Sequence, residues 1–316
     1  MNTLEIQNTK SILNHKNKNL NDVLFLWEEA KKKLQDFINY HSIPLNQITL
    51  SFSGGKDSTV LIQLIKEIQL EDKINIVYSN TKMEFETINE FIQSFDNVQI
   101  IEPQTALPII YLKHGLPIHS KHTSEMLSRL QKHNFDFVND TFKSFEELII
   151  KYPKCKSALK FLTGSNSKLN CPNWLKRQLK DIEFKVSNKC CEELKKKPLK
   201  LYNKQNNIKM NLIGIRKAEG GIRSAQYKSC IVYGDVHKYF PLFHFTDEDI
   251  DTIIEIKNIK ISDAYTKYGM KRTGCVACPF SKNWKEELEI LKKYEPKKYE
   301  YAIKTYSRIY EIYEKR

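Results

Sequence analysis

The stretch SFSGGKDSTV, Ser51 to Val60, puts two glycines between hydroxyl residues and follows them at once with Lys56 and Asp57. Glycine permits positive φ and lets a ligand approach the backbone. Successive amide N–H groups then face one concavity, a nest for anionic oxygens. A helix that starts at this point adds partial positive charge, and Lys56 adds a full one. Ser53 and Ser58 supply hydroxyl donors. Ser51, Ser53, Gly54, Gly55, Lys56, Asp57 and Ser58 are therefore the candidate ligands of a nucleotide's phosphates. Asp57 would repel a bare anion, so it is expected to cap the helix or to hold Mg2+ beside the phosphates. Two glycines alone would make an ordinary turn with a solvated lysine. The whole hexapeptide between a strand and a helix carries the phosphate reading. It is not a Walker loop, which spaces its glycines as G-x-x-x-x-G-K-[ST].

The second group is sulfur. Cys190 and Cys191 are adjacent in NKCCEELKKKPLK, and Cys275 and Cys278 form a C-x-x-C in KRTGCVACPF. Four thiolates in two pairs suit a [4Fe-4S] cluster or a tetrahedral zinc ion; unliganded core cysteines are the plainer reading. Neighbours on an extended strand point to opposite faces, so Cys190 and Cys191 both ligate only where the backbone is kinked or helical. Lys189 and Arg272 flank the two halves, placed to tune a cluster or to be solvated. Cys155 and Cys171 read as buried, inert thiols. Cys230, in QYKSC, is the candidate reactive thiol, because basic neighbours lower a thiol's pKa. KHGLPIHSKH, residues 113–122, clusters three histidines and two lysines and reads as a basic loop over the nucleotide, with metal binding as the alternative.

These groups need elements to position them. Residues 20–40 carry apolar side chains at helical spacing. QITLSFS (47–53), INIVYSN (74–80) and VQIIEP (98–103) read as buried strands, and MNLIGIR (210–216) as a late one. Helices are expected over 57–69, 84–95 and 245–256, the last capped by Thr246. Strands alternating with helices predict an α/β fold, a parallel twisted sheet flanked by helices. The expected organisation is a helical N-terminal extension (1–45), a nucleotide-binding domain (46–245) with a helical insertion (104–200), and a helical region (246–316) carrying the second cysteine pair. Two helices broken near Pro296 are expected in the tail, with their tyrosines in the core.

The chain has 316 residues, a net charge of +13 and seven cysteines. An odd cysteine count in a chain this long argues against a disulfide scaffold. No apolar run approaches the roughly 18 residues of a membrane span, and the N-terminus shows no signal peptide, so a cytoplasmic protein is expected. The basic balance suits an anionic partner such as nucleic acid, or reflects lysines on solvated faces. Arg216, Arg223 and Arg272 fall inside the motif regions, where bidentate phosphate contacts are useful.

SGGKDS, in this strand–turn–helix setting, resembles the PP-loop of the ATP pyrophosphatase superfamily, which includes phosphoadenosine phosphosulfate reductases and sulfur-inserting enzymes. SNTKMEFETINEF (79–91) resembles that family's D-T-G-x-x-F-P-E-T segment, with Asn80, Lys82 and Glu86 departing from it. GIRKAEGGIR (214–223) resembles its G-x-R-x-x-E element and carries Gly214, Arg216, Glu219 and Arg223. YFPLFHFTDEDI (239–250) resembles its proline-led element. The cysteine pattern is similar to the [4Fe-4S] signature of adenosine phosphosulfate reductases and of cluster-bearing relatives on phages and mobile elements. The resemblance spans about residues 45–285. It implies an adenine nucleotide alpha hydrolase-like (HUP-type) fold. It adds Asn80, Thr81, Gly214, Arg216, Glu219 and Arg223 to the nucleotide ligands, and assigns Cys190, Cys191, Cys275 and Cys278 to a cluster.

The resemblance implies an enzyme, and the first activity to expect is ATP-dependent adenylation of an acceptor followed by sulfur insertion. Lys56, Asp57, Arg223 and Cys230 are its candidate catalytic residues, a nucleic acid the candidate acceptor, and a sulfur donor or redox protein the candidate partner. DNA phosphorothioation enzymes are similar in this respect. The second reading is a reductase of the sulfonucleotides APS or PAPS. Such enzymes carry a nucleophilic cysteine near the C-terminus, whereas no cysteine follows Cys278 here. The third is a non-enzymatic nucleotide- or redox-sensing subunit. The first reading requires the glycine turn and the four sulfurs to serve one reaction.

Overall fold

In the computed structural model, residues 20–165, 169–220 and 227–315 are described. Strand β1 (Ile48–Phe52) is flanked by β2 (Asn75–Ser79) and β4 (Met210–Ile213), all parallel. β3 (Val98–Ile101) lies beyond β2, and β6 (His237–Tyr239) pairs parallel with β4. β5 (Ile231–Val232) closes the other edge antiparallel to β6, giving the order β3-β2-β1-β4-β6-β5. The sheet is mostly parallel and flanked by helices, as the alternating elements predict. The two short strands β5 and β6 are an addition to the sequence reading. Their runs of two and three residues are too brief to show periodicity.

β1 is enclosed on both faces: Ile48, Thr49 and Leu50 have no exposed surface and Phe52 is buried. This explains why its sequence is a near-continuous apolar run rather than an alternating one. The strand order reverses at β1, because the chain moves from β1 to β2 and β3 on one side and returns as β4 on the other. In open α/β sheets ligands bind at this switch point, outside the carboxyl ends of the strands. The glycine turn leaves β1 at that end.

The chain divides into two compact units that do not follow sequence order. One comprises residues 1–78, 91–99 and 203–262; the other comprises 79–90, 100–202 and 263–316. Parallel neighbours require long crossovers, so the sheet draws β4 from far along the chain while intervening segments build the second unit. The helix Leu20–Tyr40 is part of the first unit rather than an extension to it. It buries Val23, Trp27, Ala30, Leu34, Phe37 and Ile38 along one face, each large side chain worth about 2 kcal/mol of burial. Trp27 packs edge-on against Phe245 at 6.3 Å and donates to Glu67 at 2.8 Å.

In the second unit, the helices Trp284–Tyr294 and Pro296–Glu314 meet at Pro296, as expected. Proline tolerates this first helical position because its missing N–H is not needed there. Tyr306 and Tyr310 are core residues, whereas Tyr301 is exposed. Thr246 caps the helix Asp247–Ile256 in a reciprocal capping box with Asp249. Among the described residues, no helix is long and apolar enough to cross a membrane.

Candidate functional site

The glycine turn after β1 is built by hydrogen bonds within itself. Gly54 has φ +68°, a left-handed conformation that side chains resist. Ser58 Oγ donates to the Gly55 carbonyl at 2.9 Å and accepts from the Ser53 amide at 3.2 Å. The Ser53 and Ser58 hydroxyls are 3.0 Å apart. The helix Lys56–Glu67 begins directly after Gly55, with no side chain capping it. Lys56 donates to Asp251 at 2.9 Å, both partly exposed. Ser51 points elsewhere: its hydroxyl donates to Asn211 Oδ1 across the β1–β4 pair at 2.9 Å.

Asp57 takes a role that differs from the expected helix cap. Arg216 donates from Nε to its carboxylate at 2.9 Å and from Nη2 to Asp247 at 2.5 Å. Its Nη1 reaches the Phe245 carbonyl at 3.4 Å. Arg216 is 5% exposed, so its guanidinium is a strut between the turn and the helix Asp247–Ile256. Burial raises the Asp57 carboxyl above its ordinary pKa, against the opposing pull of Arg216. A buried charge held by two carboxylates is costly to unpair, which fixes the start of the helix. Glu219 accepts from the Arg216 amide at 3.3 Å. Gly214 ends β4 directly beneath the turn: a Cβ there would lie 3.0 Å from the Asp57 carbonyl carbon and 3.1 Å from the Ser58 nitrogen. Arg223 falls outside the described residues.

The other candidates lie in the second unit. Cys190 and Cys191 begin a helical segment that continues as a π-turn over Glu192–Lys196. The backbone is thus helical, as ligation by both requires. Each thiol feels the others. The hydrogen bond to Cys191, burial, and the charges of Cys278 and Cys275 hold Cys190 far above the ordinary thiol range. The hydrogen bond from Cys190, with Lys121 and Lys195, holds Cys191 well below it. Burial and Cys275 push Cys278 up. Lys195 is held protonated: burial works against its charge, but Cys275, Glu84 and Cys191 outweigh it.

The C-x-x-C turn is tied on three sides. Val276 donates its amide to Met83 O at 2.6 Å, Tyr310 donates to Ala277 O, and Tyr313 donates to Pro279 O at 2.7 Å. Ala277 has φ +48°, which costs a non-glycine residue about 1 kcal/mol. Thr81 is buried, 3.8 Å from Cys275 Sγ. Its hydroxyl donates to Glu84 Oε2 at 2.8 Å, and Lys195 pairs with Glu84 Oε1 at 3.0 Å. Glu84 is the residue the sequence reading missed; T-x-x-E over Thr81–Glu84 has the spacing of a capping box. Asn80 accepts the Lys82 amide at 2.9 Å.

Among the described residues, no group of three or more His, Cys, Asp or Glu side chains is arranged to hold a metal ion. The donor set nevertheless fits a cluster. Burial and the neighbouring thiols hold Cys190, Cys275 and Cys278 above the ordinary thiol range, and a centre carrying its own positive charge is what would stabilise their thiolates.

Cys155 and Cys171 are buried, and burial pushes the Cys171 thiol up to about 12. Cys230 is half-buried against Ile215, Phe240 and Phe243. In the 113–122 segment, His114 lies 3.5 Å from Glu193 and His119 3.0 Å from Thr123. His122 packs edge-on against Phe161 at 5.2 Å. Lys189 and Arg272 are exposed.

A glycine turn at the switch point of a mostly parallel sheet flanked by helices gives the chain an α/β architecture of the PP-loop type. Residues 47–132 and 118–281 match the phosphoadenosine phosphosulfate reductase domain model, and the chain belongs to that family. A probable FAD synthase of Caenorhabditis briggsae is 35% identical over 84 residues. The match covers 24% of this chain and 16% of that protein. Solved structures with similar folds include a phosphoadenylyl-sulfate reductase from Candida auris (12% identity, 79% of this chain and 93% of that one, TM-score 0.41). Another is the U34-tRNA thiolase NcsA from Methanococcus maripaludis with its [4Fe-4S] cluster (14% identity, 90% and 79%, TM-score 0.38).

Proposed function

We propose that this protein is a PP-loop enzyme of sulfur metabolism that binds ATP, adenylates an acceptor oxygen and exchanges that oxygen for sulfur. What supports the reading is the family match, together with the glycine turn after β1 and two cysteine pairs, Cys190–Cys191 on a helical backbone and Cys275–Cys278 in a turn tied by Tyr310 and Tyr313. The amides of Ser53–Lys56, the Ser53 and Ser58 hydroxyls and Lys56 hold the pyrophosphate end of ATP. The Arg216 strut keeps Asp57 and the helix start fixed, so that the cradle needs little reorganisation when charge develops. Asp57 retains a free carboxylate oxygen for Mg2+, and Arg223 adds a further cation to the phosphates.

The acceptor's oxygen attacks the α-phosphorus, and the α–β bridging bond breaks to release pyrophosphate. A sulfide-level donor then attacks the activated carbon or phosphorus, and AMP leaves with the oxygen. No net oxidation occurs. The four cysteines would hold a [4Fe-4S] cluster, which would supply electron-transfer and sulfur-binding chemistry. Lys195, paired with Glu84, neutralises the charge of the thiolates. A nucleic acid is the proposed acceptor class, on the strength of the +13 net charge.

Sulfonucleotide reduction is the second reading, favoured by the family match. It needs a thiolate nucleophile outside the cluster set. Cys171, pushed up to about 12, is poorly suited, and Cys230 lies against an aromatic cluster. The test is anaerobic incubation with ATP and, separately, with adenosine and phosphoadenosine phosphosulfate. ATP-dependent release of pyrophosphate and AMP is expected. Sulfite release overturns the first reading in favour of the second. Nucleotide binding with neither product points to a sensing subunit.

A further inference from the structure

We propose that Tyr310 and Tyr313, on one face of the helix Pro296–Glu314, are positioning residues for the C-x-x-C sulfurs: a phenol clamp on the turn. The inference rests on the four-cysteine reading above. Its core is a hydrogen-bond pattern that the packing of an ordinary helix does not require. Tyr310 is 5% exposed, and its hydroxyl donates to the carbonyl of Ala277, between the two cysteines. Tyr313, three residues on, donates to the carbonyl of Pro279, just after Cys278, at 2.7 Å. The i, i+3 spacing puts both phenols on one helix face, so two successive hydroxyls bracket Cys278.

The clamp is itself braced. The Trp284 ring lies parallel to Tyr310, with centroids 4.3 Å apart and planes 7° from coplanar. Tyr306, also on this helix, meets Tyr111 hydroxyl to hydroxyl at 2.9 Å. Ala277 adopts φ +48°, so the turn is held away from its relaxed conformation and something must hold it. The Tyr310 hydrogen bond ends on this residue. The clamp thus fixes which way the two sulfurs face and limits solvent access to them.

The experiment compares the wild type with Tyr310→Phe and Tyr313→Phe, which keep the rings and remove only the hydroxyls; Tyr301→Phe, on the exposed side, is the control. The first readout is the rate of iodoacetamide alkylation of Cys275 and Cys278 in protein stripped of metal, followed by peptide mass spectrometry. The second is the rate at which a chelator bleaches the visible absorption of anaerobically prepared protein. Both rates are expected to rise at least five-fold in Tyr310→Phe and in the double variant, with the control unchanged. Circular dichroism and the alkylation rate of Cys230 report whether the fold is intact. Unchanged alkylation at Cys275 and Cys278 in the double variant overturns the clamp. Accelerated alkylation in a protein that never takes up iron leaves the clamp standing and sinks the cluster reading instead.

Discussion

A single side chain carries much of the proposed phosphate site. Lys56 donates to Asp251 at 2.9 Å, which holds its ammonium at the start of the helix. Lys56→Ala should weaken ATP binding about ten-fold, roughly 1.4 kcal/mol, without changing the unfolding midpoint; isothermal titration calorimetry with matched thermal melts measures both. Glu67 makes a pH prediction at the same scale. Burial would raise its carboxyl, but hydrogen bonds from Trp27, Lys31, Lys257 and Gln63 bring it down to about 2. A depressed carboxyl stabilises the fold above its unfolded pKa and loses that contribution as pH falls. Stability should therefore drop between about pH 4.5 and pH 2, by on the order of 1–2 kcal/mol given partial solvent screening. Glu67→Gln should flatten that limb of the melting-temperature profile; an unaltered limb would count against the network.

At the scale of elements, β4 supports the glycine turn by proximity alone. Gly214→Ala would press a methyl group to within 3.0–3.1 Å of the Asp57–Ser58 backbone, which cannot yield as a flexible side chain can. ATP affinity is expected to fall more than ten-fold while the fold survives; wild-type affinity in the variant would show that the turn tolerates displacement. The sequence made this element legible only in part. Ser51–Ser58 announces its own turn, because two glycines and a following helix are local features. The partners of that turn are not local. Asp251, Asp247 and Arg216 reach it from 159 to 195 positions away, and nothing in their own spacing marks them. Thr81 makes the same point: nothing in its segment marks the contact of its hydroxyl with Cys275, 194 positions away.

The whole molecule is where the cysteine proposal is decided. Protein purified without oxygen is expected to be brown and to hold about four irons per chain, an outcome the [4Fe-4S] reading requires. Cys275→Ser should remove most of that iron and colour; a colourless wild-type protein loaded with zinc would contradict the assignment. The two cysteine pairs lie more than 80 residues apart in sequence, and their thiols perturb one another's ionisation. That coupling belongs to the folded chain alone.

The sequence by itself determined the strand–turn–helix around Ser51–Ser58, the parallel α/β class and the pairing of cysteines, since apolar periodicity, glycine freedom and short spacings act over a few residues. The tertiary structure decided that Asp57 is braced by Arg216 rather than capping its helix, that Glu84 joins Thr81 to Lys195, and that two tyrosines hold the C-x-x-C turn. Those outcomes depend on which distant segments share a desolvated space, where an unpaired charge or hydroxyl is too costly to leave.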